Sequence, residues 1–355
     1  MIDVSSSPHF HDKISTSRIM RDVAFALMPS CLWGCAVFGF KAVLVMVVSI
    51  LSSVLTEFLL NRLSGERTIY DCSALVTGIL VGMNMNSDVP LYIPVIASVF
   101  AIGVVKWTFG GLGCNWANPA IAGRIFVFFS FTSGMTRYAV PICFQKGSLL
   151  VSQASPLSLI KTAVVSGEAV GKTSVEILSD QGFPFTSLAG KISSLTGLNP
   201  YDIDAFIGFI PGTIGEVSKI LLILGAVYLL LRKVISLHVP LSLICVYSLF
   251  TWVFGGIPLG NGLFHGEVLS NILRGGIIIG SFFMATDMVT CPVTGKGKVI
   301  FGAGCGFISF LFRTFGSLPE SVSVAILMMN MVSPTIDRFI KPKRFGMVKK
   351  NEVTP

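Results

Sequence analysis

The run AVLVMVVSILSSVLTEFLL, at residues 42–60, decides the class of fold because it holds a single ionisable residue, Glu57. As an α-helix, these nineteen residues would be roughly 28 Å long. The hydrocarbon core of a bilayer is about 30 Å thick. The run therefore predicts a helix that crosses a membrane.

The composition of the 355-residue chain agrees with this location. Hydrophobic residues make up 52% and charged residues 12%, whereas soluble domains carry about 25% charged residues. So few charges exclude an ordinary soluble enzyme, a disordered chain and a secreted disulfide scaffold as descriptions of the whole chain. The net charge of +8 is better explained by membrane topology, because the aromatic–basic pattern of a nucleic-acid groove is absent.

Apolar runs predict an all-α integral membrane protein of about ten spans. Residues 133–205 differ, since they mix Ser, Thr, Gly and charges and hold no run long enough to span. We predict a first five-helix half at 1–132, an extracytoplasmic segment at 133–205, and a second five-helix half with a basic tail at 206–355. The predicted spans are 23–40, 42–60, 72–86, 90–106, 117–132, 215–231, 239–254, 270–286, 299–313 and 321–336.

The distribution of lysine and arginine predicts the orientation of these spans. With the N-terminus in the cytoplasm, the short cytoplasmic segments hold 16 basic residues, and the opposite short loops hold three, Lys41, Arg274 and Arg313. Cytoplasmic loops of membrane proteins carry such an excess. Both termini are therefore predicted to be cytoplasmic and residues 133–205 to lie outside.

Two stretches suggest an internal repeat. SALVTGILVGMN at residues 73–84 and GGIIIGSFFMATD at 275–287 are each followed by a turn, an apolar span, a basic residue and a Phe-Gly pair. Because each half would contain five spans, the second half would be inverted. Interrupted helices at matching places of inverted halves mark midplane binding sites in transporters. Chance similarity of apolar segments is the alternative.

Polar interruptions of the apolar runs give the first candidate residues. Asn118-Pro119 is interpreted either as a broken helix that lines a cofactor or ion site, or as a simple kink. Proline frees a backbone carbonyl, which a membrane tolerates where protein or a cavity satisfies it. Cys291-Pro292 is interpreted as a cytoplasmic turn. The ionisable residues near spans are predicted to lie at span ends, within reach of water: Glu57, Asp71, Glu216, Lys219, Asp287 and Asp337.

The eight cysteines are scattered singly, without a Cys-x-x-Cys pair. This spacing predicts neither a metal site nor an iron–sulfur centre, and the chain has no dinucleotide-binding fingerprint. We therefore predict that the chain has no catalytic residues of its own and no complete active site. Any redox function would belong to a complex.

Short motifs in a fixed order are more specific. They are Ser7-Pro8-His9, Asp71 with Thr77-Gly78, Gly110-Gly111-Leu112-Gly113 with Asn118-Pro119-Ala120, Ile214-Gly215-Glu216, Ala285-Thr286-Asp287 and Pro319-Glu320. With this set, the chain resembles the D subunit of the Rnf (Rsx) electron-transport complex and, more distantly, the B subunit of the Na⁺-translocating NADH:quinone reductase. By that resemblance, Glu216 and Asp287 are candidates for an ion path.

The resemblance also implies a covalent flavin. The family carries an outer Ser-x-Ala-Thr motif whose Thr hydroxyl is esterified to the phosphate of FMN. Ser152-Gln153-Ala154-Ser155 aligns with this motif, so Ser155 takes the position of the Thr. From composition alone, this stretch is predicted to be an exposed polar turn. The upstream Asp that the flavin transferase recognises is missing from residues 147–151, so the segment could instead hold flavin non-covalently or hold none. A second, non-covalent flavin such as riboflavin is also allowed, with Asn118 as a cofactor-binding residue.

As a whole, the resemblance implies the flavin-carrying membrane subunit of an Rnf-type ion-translocating oxidoreductase in a bacterial inner membrane. It would pass electrons across the membrane between partner subunits. Its expected partners are other membrane and peripheral subunits, including a flavoprotein subunit and iron–sulfur subunits. A flavin transferase is a further expected partner, and nucleic acid is not. The alternative is a redox-inactive transporter or channel of the urea-channel type, which shares the inverted five-span plan and is favoured by the missing Asp.

Overall fold

The computed structural model describes residues 15–65, 68–145, 154–316, 318 and 320–341. In these ranges every regular element is helical, which confirms the predicted all-α class for the part of the chain described. The helices are α1 Thr16–Phe38, α2 Phe40–Ser64, α3 Ser73–Met83, α4 Tyr92–Val99, α5 Pro119–Ser130, α6 Thr132–Met135, α7 Ile142–Gln145, α8 Pro156–Ser166, α9 Ser174–Asp180, α10 Ser187–Thr196, α11 Pro200–Ile207, α12 Lys219–Leu231, α13 His238–Phe254, α14 Val268–Leu273, α15 Ile277–Ile279, α16 Gly295–Thr314 and α17 Val322–Phe339. A 3₁₀ turn, Ile69–Asp71, precedes α3, and π-helical segments, Phe100–Trp107 and Gly280–Met284, continue α4 and α15.

Three of these helices, α1, α2 and α16, are long and apolar enough to cross a membrane. Shorter apolar helices, among them α3, α5, α12 and α13, occupy other predicted spans. The predicted span at 270–286 is interrupted, because α14 ends at Leu273 and α15 begins at Ile277. The chain is thus a membrane protein by its helices as well as its composition, while the ten-span arrangement stays a prediction.

Capping residues explain where several helices begin and end. Ser15 starts α1 by accepting a hydrogen bond from the Arg18 amide at 3.4 Å. Gly39, at φ 78°, separates α1 from α2, a conformation that glycine adopts without steric cost. Asn118 and Ser155 cap α5 and α8, and each is followed by a proline at the first helical position, the favoured place for proline in a helix.

One apolar core joins the N-terminal and C-terminal parts of the chain. It runs from Leu27 in α1 through Met83 and Leu222 to Ile326 in α17, all fully or nearly fully buried. α1 and α12 touch along their backbones, since a Cβ on Gly225 would lie 2.2 Å from the Ala26 carbonyl oxygen. The two parts therefore fold as one packed body.

Helices α6–α11 lie in the stretch predicted to be extracytoplasmic. None of them is longer than the 11 residues of α8, far fewer than the roughly 20 needed to cross a bilayer. Met135 of α6 belongs to the main core, whereas the small cores of α8–α11, around Ala163 and Ile177 and around Leu178 and Tyr201, are separate from it. Helices α8–α11 therefore form a satellite layer on the helical body.

The prediction that the ionisable residues lie within reach of water was wrong for three of them: Glu57, Glu216 and Lys219 are at most 4% exposed. Glu57 forms a buried ion pair with Lys106, 2.7 Å between Oε1 and Nζ. For Glu57 the reason is that α2 packs against the π-helical segment Phe100–Trp107, so that the charges of Glu57 and Lys106 neutralise each other inside the protein.

Three basic residues that entered the topology count are also buried. Lys106, Arg274 and Arg313 are between 2% and 6% exposed, so ion pairs and hydrogen bonds, not a membrane surface, hold them. Without these three residues, the predicted cytoplasmic segments still hold more lysine and arginine than the opposite short loops.

Candidate functional site

Ser155 occupies the N-cap of α8 and is 5% exposed. Its Oγ accepts a hydrogen bond from the Ser158 amide at 3.3 Å, and the Ser158 hydroxyl donates to the Ser155 carbonyl at 2.8 Å. The expectation of an exposed turn was therefore wrong, because the following proline starts a helix and the serine side chain closes its first turn. Ala154 is half-buried beside it, and Ser152 lies outside the described residues.

Ser155 and two buried cations line a small cavity, the Ser155 cavity, of about 10 Å³. Lys219 is 1% exposed, and its Nζ donates to the Glu216 carbonyl oxygen. Arg274 is 2% exposed, and its Nη2 donates to Asp202 Oδ1 at 2.8 Å. Among the described residues, Arg274 Nη1 has no acceptor and Lys219 forms no ion pair. The lining of the Ser155 cavity therefore holds two cations, of which Arg274 is paired with Asp202, and also the carboxylates of Glu216 and Glu320.

The same cavity borders a buried charge cluster centred on Arg124 in α5. Arg124 Nη2 donates to Glu320 Oε2, and Nη1 donates to Ser323 Oγ at 2.7 Å and to Asn84 Oδ1 at 2.9 Å. Tyr138 donates to the other oxygen of Glu320. Both Glu216 and Glu320 line the Ser155 cavity. The Arg124 cluster thus links the N-terminal and C-terminal parts of the chain, and two of its carboxylates form part of the wall of the Ser155 cavity.

Glu216 is the least satisfied member of the Arg124 cluster. Its Oε1 lies 3.8 Å from Arg124 Nη2 and accepts no hydrogen bond among the described residues. A Cβ on Gly276 would lie 2.4 Å from that oxygen, so only glycine leaves room for the carboxylate. Oε1 of this buried carboxylate therefore has the Arg124 guanidinium as a neighbouring charge but no hydrogen-bond donor among the described residues.

Asn118 and Asp287 line a different cavity, the Asn118 cavity, of about 360 Å³. Asn118 Oδ1 accepts from the Ala120 amide at 3.0 Å, and Nδ2 donates to the Met284 carbonyl at 3.2 Å. Asp287 Oδ2 accepts from Thr290 at 3.1 Å. Asn118 is therefore neither a kink nor a free side chain, since it caps α5 and holds the end of the π-helical segment Gly280–Met284.

A third residue of the Asn118 cavity is polar and unsatisfied. Asn115 is 8% exposed, and its Oδ1 has no donor among the described residues. The cavity also exposes Lys106, whose ammonium is held by Glu57 and by Ser73 Oγ at 2.6 Å. The wall therefore offers an acceptor, a donor and a largely apolar surface to a neutral ligand.

The structure thus sorts the predicted residues into two places. Ser155 and Glu216 share one cavity, and Asn118 and Asp287 share the other. Sequence reasoning missed Arg124, Arg274 and Glu320 as site residues. A signal existed for Arg124, because it lies in the middle of the predicted span 117–132, and charges inside spans are rare and usually functional.

Comparison with known proteins follows the same motifs. Residues 3–346 match the NQR2, RnfD, RnfE family. The chain belongs to this family. Its relatives include the D subunits of three bacterial complexes. That of the proton-translocating ferredoxin:NAD(+) oxidoreductase complex of Clostridium ljungdahlii is 37% identical, with 97% of this chain and 96% of the relative covered. That of the Na(+)-translocating ferredoxin:NAD(+) oxidoreductase complex of Acetobacterium woodii is 36% identical, with 98% and 96% covered. That of the ion-translocating oxidoreductase complex of Stutzerimonas stutzeri is 32% identical, with 94% and 92% covered.

Membership of the NQR2, RnfD, RnfE family confirms the resemblance drawn from the motifs. The match runs through the apolar helices and also through the satellite layer of α8–α11. Both candidate cavities consequently lie inside the part of the chain that the family shares.

Proposed function

We propose that this chain is the flavin-carrying membrane subunit of an Rnf-type ion-translocating oxidoreductase, passing electrons across the membrane between partner subunits. The observation that carries the proposal is similarity over nearly the full length to D subunits of such complexes. The proton- and sodium-translocating relatives are 37% and 36% identical, so identity does not choose the coupling ion. By the same analogy, the reaction of the complex is electron transfer between ferredoxin and NAD⁺.

Ser155 is proposed as the attachment site of FMN. A phosphodiester at Oγ would carry one negative charge. The N-terminal end of α8, with its partial positive charge, and the cavity-lining Arg274 Nη1 and Lys219 would favour that charge. The carboxylates of Glu216 and Glu320, which line the same cavity, would oppose it. FMN, when bound, supplies one- and two-electron redox chemistry. The chain would contribute the hydroxyl and the buried cations that hold the phosphate.

The Asn118 cavity is proposed to bind the second, non-covalent flavin. Its volume of about 360 Å³ falls in the range of roughly 300–1,000 Å³ usual for ligand pockets. Asn115 Oδ1 is the unsatisfied acceptor that a flavin imide N–H would need. Asn115→Leu should therefore release the extractable flavin while leaving covalent flavin in place, as measured by acid extraction and mass spectrometry. Retention of both flavins would reject this site.

Loss of the chain tests the proposed function directly. Membranes lacking it should lose ferredoxin- or NADH-linked ion transport, because no other subunit would carry the electron across.

Glu216→Gln and Asp287→Asn, which change the two ion-path candidates, should lower ion transport and leave covalent flavin unchanged. Full transport without the chain would overturn the proposal, and solute flux through the flavin-free purified chain in liposomes would support the urea-channel alternative instead.

The proposed topology has ten spans in two inverted halves, with both termini cytoplasmic and residues 133–205 outside. It rests on the basic asymmetry and on the short helices α6–α11. A reporter that works only in the cytoplasm should be active when it is fused after Pro355. A reporter that works only outside the cytoplasm should be active when it is inserted after Gly197, at the exposed end of α10. The reverse pattern would reject the topology.

Partner subunits are part of the proposal. The chain has no dinucleotide fingerprint, and no group of three or more His, Cys, Asp or Glu side chains suited to a metal occurs in the described ranges. Electrons would therefore enter and leave through a flavoprotein subunit and iron–sulfur subunits, and a flavin transferase would load Ser155.

A further inference from the structure

A second outer cavity, the Lys161 cavity, lies beside Ser155 and has a volume of about 190 Å³. Its wall includes Leu157 and Arg274, which also line the Ser155 cavity. The two cavities therefore adjoin, with Arg274 between them. The Lys161 cavity has no role in the function proposed so far.

One face of α8 leads from Ser155 into the Lys161 cavity. Leu157, Ile160, Lys161 and Val164 all line it, and this spacing of i, i+3, i+4 and i+7 places them on one side of a helix. Lys161 is six residues after Ser155, or about 9 Å along the helix axis. The ribityl chain of a flavin attached at Ser155 is long enough to cover this distance.

The charges in the wall are all positive. Lys161, Arg274 and Arg313 line the Lys161 cavity, and no Asp or Glu is among the described residues that do so. Within the described part of the chain, Lys161 Nζ donates to the carbonyl oxygens of Arg313 and Phe312, at 3.1 and 3.4 Å. Burial, and then the neighbouring Arg313, lower the pKa of Lys161 to about 8. The cavity is therefore built for a group that carries or acquires negative charge.

The remaining wall combines hydrophobic side chains with the polar side chains of Ser174, Ser270, Asn271 and Thr314, and it holds two unsatisfied polar atoms. Ile160, Val164, Leu259 and Phe315 supply hydrophobic surface. Thr251 Oγ1 and Arg274 Nη1 are buried and have no hydrogen-bond partner among the described residues. A flat ring system with one polar edge matches this wall, because its rings would meet the hydrophobic side chains and its edge would meet the donors.

We propose that the Lys161 cavity receives the isoalloxazine ring of the FMN attached to Ser155, with Lys161 and the two arginines at its pyrimidine edge. This inference rests on the proposed attachment and adds the position of the ring and the residues that set its electronics. Cations at this edge favour the reduced, more negative flavin and so raise its midpoint potential.

The first test separates ring position from attachment. Val164→Trp fills the Lys161 cavity, whereas Thr162→Trp places the same side chain on an exposed position of the same helix that does not line the cavity. The purified, flavinylated chain should show covalent FMN by peptide mass in both variants. Quenching of flavin fluorescence by iodide should rise several-fold in Val164→Trp alone. Unchanged quenching in a flavin-loaded Val164→Trp protein would overturn the inference.

The second test keeps the inference falsifiable if Val164→Trp does not fold. Lys161→Met removes the charge with little change of shape and should make the midpoint potential of the covalent flavin more negative, while Lys161→Arg should restore it. Lys172→Met is the charge-matched control, because Lys172 is exposed and pairs with Asp180. An unchanged potential in Lys161→Met would reject the ring position. An anionic phospholipid that copurifies with the wild-type chain and is lost from Lys161→Met would also reject it, because the lipid would then occupy the Lys161 cavity. Absence of covalent flavin from the wild-type chain would instead reject the attachment on which this inference rests.

Discussion

Replacing Arg124 by methionine should lower the free energy of unfolding by about 3–5 kcal/mol, because it leaves buried carboxylates without their cation. Arg124 is 5% exposed and contacts Asn84, Ser323 and Glu320 from parts of the chain far apart in sequence. The loss should appear in denaturant unfolding of the purified protein in detergent.

A matched control is the exposed pair of Lys41 and Asp88. Its Nζ–Oδ1 distance is 2.7 Å, but the lysine side chain is 73% exposed, and such surface pairs contribute about 0.2–1 kcal/mol. Lys41→Met should therefore have little effect. Adding Glu320→Gln to Arg124→Met should restore part of the stability, since it removes the unpaired charge. Similar small losses in Arg124→Met and Lys41→Met would show that the Arg124 cluster does not hold the two parts together.

Replacing Ser155 by alanine should abolish covalent flavin, because it removes the oxygen that forms the phosphoester. In the wild-type protein, the tryptic peptide containing Ser155 should gain the mass of FMN minus water. The structure adds a second effect, since loss of an N-cap typically costs about 0.5–2 kcal/mol. The flavin-free variant should therefore unfold slightly more easily than flavin-free wild type, in contrast to the neutral effect expected of an exposed turn.

Neighbouring hydroxyls provide the controls for this result. Ser155→Thr should retain flavin, because it restores the family's usual residue and threonine also caps helices. Ser158→Ala removes the nearest described hydroxyl and should leave attachment intact, and Ser152→Ala should at most slow it. Covalent flavin that survives Ser155→Ala would show that the motif is misaligned. Failure of an active transferase to load the wild-type chain would mean that the missing upstream Asp decides.

The apolar helices outside residues 133–205 were largely predictable because they follow apolar runs, and some of their ends follow local signals such as Asn118-Pro119 and Gly39. The burial of the charged side chains was not predictable, because it depends on contacts between residues distant in sequence. Glu57 and Lys106 are 49 residues apart yet form one ion pair. A hydropathy pattern shows where each charge lies on its own helix, but not which partner packs against it.

The candidate site shows the same division. Sequence similarity pointed to Ser155, but nothing local indicates that Arg274 and Lys219 lie beside it, since both come from the later part of the chain. The break between α14 and α15 brings Arg274 inward, and this break was hidden within an apparently continuous apolar run. Side chains brought together by such breaks require the folded structure to be seen.

The Arg124 cluster has a consequence for biosynthesis. Glu320 and Ser323 follow Arg124 by 196 and 199 residues, and at about 5–20 residues per second a ribosome needs roughly 10–40 s to make that stretch. If α5 crosses the membrane as proposed, its arginine costs about 2.5–3.5 kcal/mol on the scale of translocon insertion until those partners emerge. The nascent N-terminal part is therefore incomplete in the bilayer during this interval, and a chain truncated before α17 should be recognised by membrane quality control and degraded.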